Sequence, residues 1–243
     1  MARYLDPRND LVFKRIFGEN PDLAKSFLNA LLPLPADRPI AELQYLTSEM
    51  VPLDSEIKRN SIVDVRCTDS HGRQFIVEMQ MFWTSGFIQR MLFNAAKAYT
   101  RQDFESGEYA PLKPVYALAL INDVFKHDRS DFYHLYELAE KNYPEDRLHE
   151  IAFVFVELPK FKPETLADRK MAVLWLRFLN ETGRMDAAPA ELEAVPEISM
   201  ALQMSRESAF TQAELTAYEK TLDSIRVEKT LMSGKFAEGR AEG

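Results

Sequence analysis

The chain has 243 residues, 46% of them hydrophobic and 28% charged, with a formal net charge of −8. These values suit a globular chain able to bury a sizeable core and argue against a protein coated in basic patches. The single cysteine, Cys67, excludes an internal disulfide framework and any Cys-rich zinc module. The opening "MARYLDPRND" lacks the basic and apolar segments of a signal peptide. The longest apolar runs, "VYALALI" and "IAFVFV", are too short to cross a bilayer and read as buried strands. A cytoplasmic protein with no membrane partner is expected.

In chain order, Asn9 or Asp6 caps a short helix, "NDLVFKRIFG", which Gly18 ends. "NPDLAKSFLNALLP" predicts a second helix, with Asn20 as cap, Pro21 at its first position and Pro33 beyond its end. After the loop "PLPADRP", "ELQYLTSEMV" predicts a strand. The stretch "SIVDVRCTDSHGRQFIVEMQM" alternates like a hairpin, and a helix follows from about Ser85 to Glu105. Strands resume at "PVYALALIND" and, after a variable stretch containing "FYHLYEL", at "HEIAFVFVEL". Interleaved strands and helices predict an α/β fold with a mixed sheet covered on its faces. From about Asp168 the strand signals stop. "LADRKMAVLWLRFLNETG" is helical, with Gly183 as its stop, and residues 197–232 predict one or two further helices. A soft boundary near Pro163 divides the chain into a unit over 1–162 and an α-helical C-terminal region over 163–243. The C-terminal helices either pack back on the core or pair two chains as a homodimer. The chain closes on the charged, Gly-punctuated "GKFAEGRAEG", read as a frayed or shortened tail.

The hairpin can be counted out. Taking Ser70, His71 and Gly72 as a three-residue loop sets Asp69 opposite Arg73 and Asp64 opposite Glu78. Ile62, Asp64, Arg66, Ile76, Glu78 and Gln80 then share one face, and Val63, Val65, Cys67, Phe75, Val77, Met79 and Met81 form a wholly apolar one. A two-residue loop would mix the faces, so the segregation favours three. Like charges directly opposed destabilise a sheet. Two readings stay open at this point: the acids face solvent and pair with Arg66 or Arg73, or they share a divalent cation, which reverses the penalty. On the following helix, Arg90, Asn94, Lys97 and Arg101 fall at steps of four, three and four, making one stripe. That stripe is either a solvated face or a grip for phosphates beside a metal.

"DPRNDLVFKRIFG", "SIVDVRCTDSHGRQFIVEMQM" and "QRMLFNAAKAYTRQ", in that order, closely resemble the Rpn-type recombination-promoting nucleases, often labelled putative transposases, of the PD-(D/E)XK superfamily. The similarity runs over roughly residues 5–160. It implies a restriction-endonuclease-like core and DNA cleavage dependent on Mg²⁺ or another divalent cation such as Mn²⁺. Carried onto this chain, it makes Asp64 and Glu78 the paired metal-binding acids and Gln80 the residue in the motif's Lys place. The backbone carbonyl of Met79 completes the metal shell, and Asp10 is an added acid from the first helix, unless it only assists the cap and pairs with Lys14. Arg90, Lys97 and Arg101 would anchor DNA phosphates. Gln80 departs from the motif: an amide orients water but carries no charge, so Lys97 or Arg90 would supply the missing cation. The implied reaction is in-line attack of water on phosphorus with departure of the 3′ oxygen, in recombination, mobile-element or defence biology. The rival is a nuclease-fold module that holds DNA or protein without cutting, favoured by the acidic charge and by Gln80. RNA as substrate stays open, and no strand-transfer machinery is evident in these motifs. The four histidines lack zinc spacing, His134 is expected to be packed or exposed, and Glu157 to be a strand-end surface acid.

Overall fold

The computed structural model describes residues 4–47, 49–50, 61–62, 64–102, 112–166 and 170–241. Helix α1 (Asp10–Phe13) is capped by Asn9, whose side chain accepts from the Leu11 amide at 3.0 Å, and runs into a π-helical turn, Lys14–Gly18. Helix α2 (Pro21–Leu31) begins on its proline as expected, although Asn20 donates instead to the Arg15 carbonyl. The strand expected over "ELQYLTSEMV" is two short pieces, β1 (Leu43–Tyr45) and β2 (Glu49–Met50), which join different sheets. Strand β2 pairs only with β3 (Ser61–Ile62).

The hairpin of β4 (Val65–Asp69) and β5 (Gln74–Gln80) has the predicted register, with Val65 opposite Val77 and Cys67 opposite Phe75. Gly72 takes the left-handed conformation, φ 79°, that closes a three-residue loop at low cost. Asp69 steadies the turn by accepting from the His71 and Arg73 amides and pairing with the Arg73 guanidinium in a buried bridge.

Helix α3 (Phe87–Thr100) crosses from β5 to β6 (Val115–Ile121), and β8 (Arg147–Glu157) follows beside β6. Strand β7 (Tyr133–Ala139) completes a six-stranded sheet in the order β1-β4-β5-β6-β8-β7. Strands β5, β6 and β8 are parallel; β1, β4 and β7 run against their neighbours. The sequence reading left β7 out. Its "YHLYELA" mixes apolar and polar residues because an edge strand has one neighbour and a largely exposed surface.

One face of the sheet packs Val65, Cys67, Phe75, Val77, Leu118 and Val154 against α1, α2, α4 (Lys170–Glu181) and α6 (Pro196–Ser205). Trp175 of α4 meets Phe17 at 5.3 Å and Phe27 at 5.6 Å between ring centroids, and its indole N–H donates to Ser26. Gly183, just after α4, lies so close to Asp6 that a Cβ there would stand 2.8 Å from the Asp6 Cα. The other face packs Ile76, Ala117, Ala119, Ile121 and Phe155 under α3, with Trp83 and Phe125 packed at its margin. A short helix, α5 (Ala190–Glu193), precedes α6, and the 30-residue α7 (Gln212–Ala241) ends the described chain. No helix among the described residues is long and apolar enough to cross a membrane.

Candidate active site

The parallel strands end together: Gln80, Ile121 and Glu157 stand side by side across β5, β6 and β8. Because β4 runs the other way, its entry lies at the same rim, and so does Asp64. In open α/β sheets this carboxyl-end rim is where ligands bind. The hydrophobic alternation dictates which residues arrive there. Phe75, Val77 and Met79 turn toward the α1/α2 core, while Ile76, Glu78 and Gln80 turn toward α3.

Asp64 does not continue the ladder as the sequence count implied. The described pairing of β4 with β5 stops at Val65 opposite Val77, and Asp64 sits in a bend just before it. Its Oδ2 accepts from the Met79 amide at 2.6 Å, so the carboxylate lies at the end of the strand pair and not out over one face. Along β5, the Gln74 amide and the Gln80 carbonyl bond toward β6. Strand alternation therefore turns both backbone groups of Met79, carbonyl included, toward the Asp64 edge. From the other side, the π-helical turn that continues α1 brings Lys14, with its Nζ 3.0 Å from Asp10 Oδ1 and 3.8 Å from Asp64 Oδ1. Burial pushes the Asp64 carboxyl up to about 7; the Met79 N–H and Lys14 oppose that, while the charges of Asp10 and Glu78 add to it.

Glu78 is buried at 4% exposure and held by α3. Asn94 Nδ2 donates to its Oε1 at 2.9 Å, and Arg90 Nη2 to its Oε2 at 2.9 Å. Burial raises its carboxyl above the usual range even against these donors. The same Arg90 Nη2 reaches Gln80 Oε1 at 2.7 Å, and Gln80 Nε2 donates to the Phe82 carbonyl at 2.7 Å. That leaves the Gln80 amide one N–H and one lone pair.

The first half of the α3 stripe thus meets Glu78 and Gln80; the second half does not. Lys97 is buried, its Nζ 5.4 Å from the Phe93 ring centroid, and loss of hydration together with Arg101 lowers its pKa. Burial, and then the charge of Arg101, lower the Arg66 pKa as well.

The model of the PD-(D/E)XK nuclease family transposases matches residues 7–233 of the chain. The chain belongs to that family. Neither a curated protein nor a solved structure matches it. The mixed sheet with flanking helices is the expected α/β PD-(D/E)XK core, and membership carries a nuclease-like or transposase-related role.

Such nucleases use divalent cations. Among the described residues, no group of three or more His, Cys, Asp and Glu is arranged to hold one. The residues present nevertheless fit a hard cation. Mg²⁺ is commonly held by one or two carboxylates with waters and phosphate oxygens. Here the charges of Asp10 and Glu78 both act on Asp64, whose carboxyl stands above a normal carboxylate, and an ammonium is already drawn to Asp64 and Asp10.

One rim residue falls elsewhere than the sequence suggests. Glu157 is no surface acid: it is 0% exposed and accepts from the Phe125 amide at 2.6 Å, the Lys126 amide at 3.1 Å, His134 Nε2 at 2.8 Å and Lys160 Nζ at 2.7 Å. Those bonds fold the loop after β6 back over the strand end, which the strand's own pattern cannot reveal. His134 is packed, as one of the two expected readings had it. Lys14 was noticed only as the residue four after Asp10; its second acid, Asp64, lies fifty residues away and gives no local signal.

Proposed function

We propose that this chain is a divalent-metal-dependent DNA endonuclease, hydrolysing phosphodiester bonds at the rim formed by Asp64, Glu78 and Gln80. The observation that carries the reading is the placement of Asp64 at the rim, its Oδ2 on the Met79 amide and its Oδ1 toward Lys14, where burial and the charges of Asp10 and Glu78 disfavour its ionised form and a bound cation would remove that penalty. In this reading Asp64, Glu78 and the Met79 carbonyl hold the cation, with Asp10 as an additional acid. Bound there, the cation supplies Lewis-acid charge and makes its water more acidic. The free N–H and lone pair of Gln80 orient a water for in-line attack, and the 3′ oxygen leaves. Arg90 keeps Glu78 and Gln80 in place and, at 45% side-chain exposure, reaches solvent and the backbone phosphates, with Lys97 and Arg101 as further anchors along α3. All of these residues fall within 1–162, the unit proposed to carry the nuclease. We assign the protein to the cytoplasm and to recombination, mobile-element or defence biology. Pairing of two chains through the C-terminal helices belongs to the same proposal, since Val227 and Leu231 of α7 are 60% and 61% exposed.

Plasmid DNA titrated with Mg²⁺ and with Mn²⁺ tests the reading. Wild type is expected to convert supercoiled DNA to nicked or linear forms, and Asp64→Ala or Glu78→Ala to stop it. Full cutting by either variant sinks the proposal.

One observation favours the non-cutting alternative: Glu78 and Gln80 are already engaged by Arg90, Asn94 and the Phe82 carbonyl. A protein that retards DNA in a gel, yet never cuts with either metal, would be that module.

A further inference from the structure

An amide at position 80 leaves the proposed site without the positive charge that a lysine would place beside the scissile phosphate. The two cations of α3 nearest in sequence are already engaged within the protein, Arg90 at the site itself. Arg90 bridges Glu78 and Gln80, and Lys97 is buried against the Phe93 ring. Across the rim the arrangement differs. Val12, Phe13, Ile16 and Phe17 are buried in the core, which fixes the rotation of α1 and its π-helical turn. That rotation presents Asp10 and Lys14, one helical turn apart, to the edge where Asp64 lies. Lys14 keeps 40% side-chain exposure while its Nζ stands 3.0 Å from Asp10 and 3.8 Å from Asp64.

An ordinary surface pair four residues apart on a helix stabilises by a few tenths of a kcal/mol and needs no third partner. Here the ammonium bridges two acids that repel each other, one of them brought from a different element. Asp64 turns Oδ2 to the Met79 amide and leaves Oδ1 toward Lys14. Among the described residues, Lys14 is therefore a cation set between Asp10 and Asp64 with an open side to solvent.

We propose that Lys14 supplies the positive charge at the reacting phosphate that residue 80 does not. The proposal rests on the endonuclease reading above. In the reaction, water forms the new P–O bond and gives its proton to solvent. The P–O3′ bond breaks and the departing oxygen takes a proton from solvent, leaving a 5′-phosphate and a 3′-hydroxyl. Lys14 takes no part in these proton transfers. Its contribution is charge, set against the negative charge that grows on the non-bridging oxygens. In DNA-free protein the same ammonium competes with a divalent cation for Asp64 and Asp10.

Three variants test this beside wild type: Lys14→Ala, Lys14→Arg, and Lys14→Ala combined with Gln80→Lys. Lys14→Ala is expected to lower kcat at least roughly tenfold while KM moves less than about threefold. Lys14→Arg should keep most of the rate, and Gln80→Lys should restore much of what Lys14→Ala loses. Mn²⁺ binding to the full chain without DNA, read by electron paramagnetic resonance, should become tighter in Lys14→Ala, because a competing charge is gone. If wild type cuts and Lys14→Ala cuts equally well, the assignment of Lys14 is overturned and the endonuclease reading stands. Unchanged or weaker Mn²⁺ binding overturns it as well. So does a loss of rate with a lowered Tm that neither Lys14→Arg nor Gln80→Lys repairs, since that describes a helix pair with a structural task. If wild type cuts with neither Mg²⁺ nor Mn²⁺, both proposals fall.

Discussion

Glu157 and Asp64 occupy the same rim of one sheet, each a carboxyl group at a strand end, and their surroundings differ in kind. Glu157 collects two backbone amides, a histidine and a lysine. Burial alone would raise its pKa, but those four donors outweigh it and hold the group below the usual carboxylate range. Asp64 collects one amide and a lysine at 3.8 Å, faces Asp10 and Glu78, and is raised to about 7. A buried acid supplied with donors fastens a loop. One left among other acids stores an electrostatic cost that a cation or a proton would relieve, and such groups concentrate at functional sites.

The contrast breaks first at Glu157. Glu157→Ala should lower stability by about 3–5 kcal/mol, because it leaves the Phe125 and Lys126 amides without their acceptor and the Lys160 ammonium without its counter-charge. Urea unfolding measures this. If the alanine variant does not accumulate, Glu157→Gln, which keeps the shape but loses the charge, should still cost about 1–3 kcal/mol. A neutral effect from both would mean that the Glu157 network fastens nothing.

The opposite sign is expected at Asp64. Its folded pKa lies above its unfolded value near 3.8, so the folded chain binds more protons in between. Stability without divalent cations should then be highest below the unfolded value, fall as pH rises from about 4 to 7, and level off above. Asp64→Asn should remove that slope and stabilise the metal-free protein by roughly 1–3 kcal/mol above neutrality. Millimolar Mg²⁺ should raise the Tm of wild type there and leave Asp64→Asn unmoved. Thermal melts across pH with and without Mg²⁺ read all three outcomes.

A smaller change sharpens the comparison at Glu78, which lies between the two cases. Arg90→Ala removes one of its donors and should cost about 1–2 kcal/mol, more when Glu78 is ionised than when it is protonated. The smallest effect belongs to the pair Arg226–Asp223 on the surface of α7, 74% and 70% exposed. Arg226→Ala should change stability by less than about 0.5 kcal/mol, within the range of exposed ion pairs.

Much of the fold was legible because it is written in local alternation. The hairpin register followed from the separation of Val65, Cys67, Phe75 and Val77 from Arg66, Ile76 and Glu78, with Gly72 at the one position that needs a left-handed backbone. Strand β7 was missed because "FYHLYEL" lies at an edge, where half the positions answer to solvent. Within the site, the neighbourhood of Glu78, Gln80, Arg90 and Asn94 could be anticipated, since a strand and the helix that follows it bring their own residues together. The Asp64 bend, the Lys14 bridge and the Glu157 anchor could not, because each joins segments far apart in the chain.

The sequence by itself determined which side chains each strand and helix turns inward, and therefore that two acids and an amide would arrive at one end of a hairpin. Tertiary structure alone decided how those acids are charged. A carboxyl's pKa depends on the water removed and the charges gathered around it, and here those come from α1, β5 and α3 at once. Periodicity is a property of a segment, whereas an electrostatic environment belongs to the assembled fold.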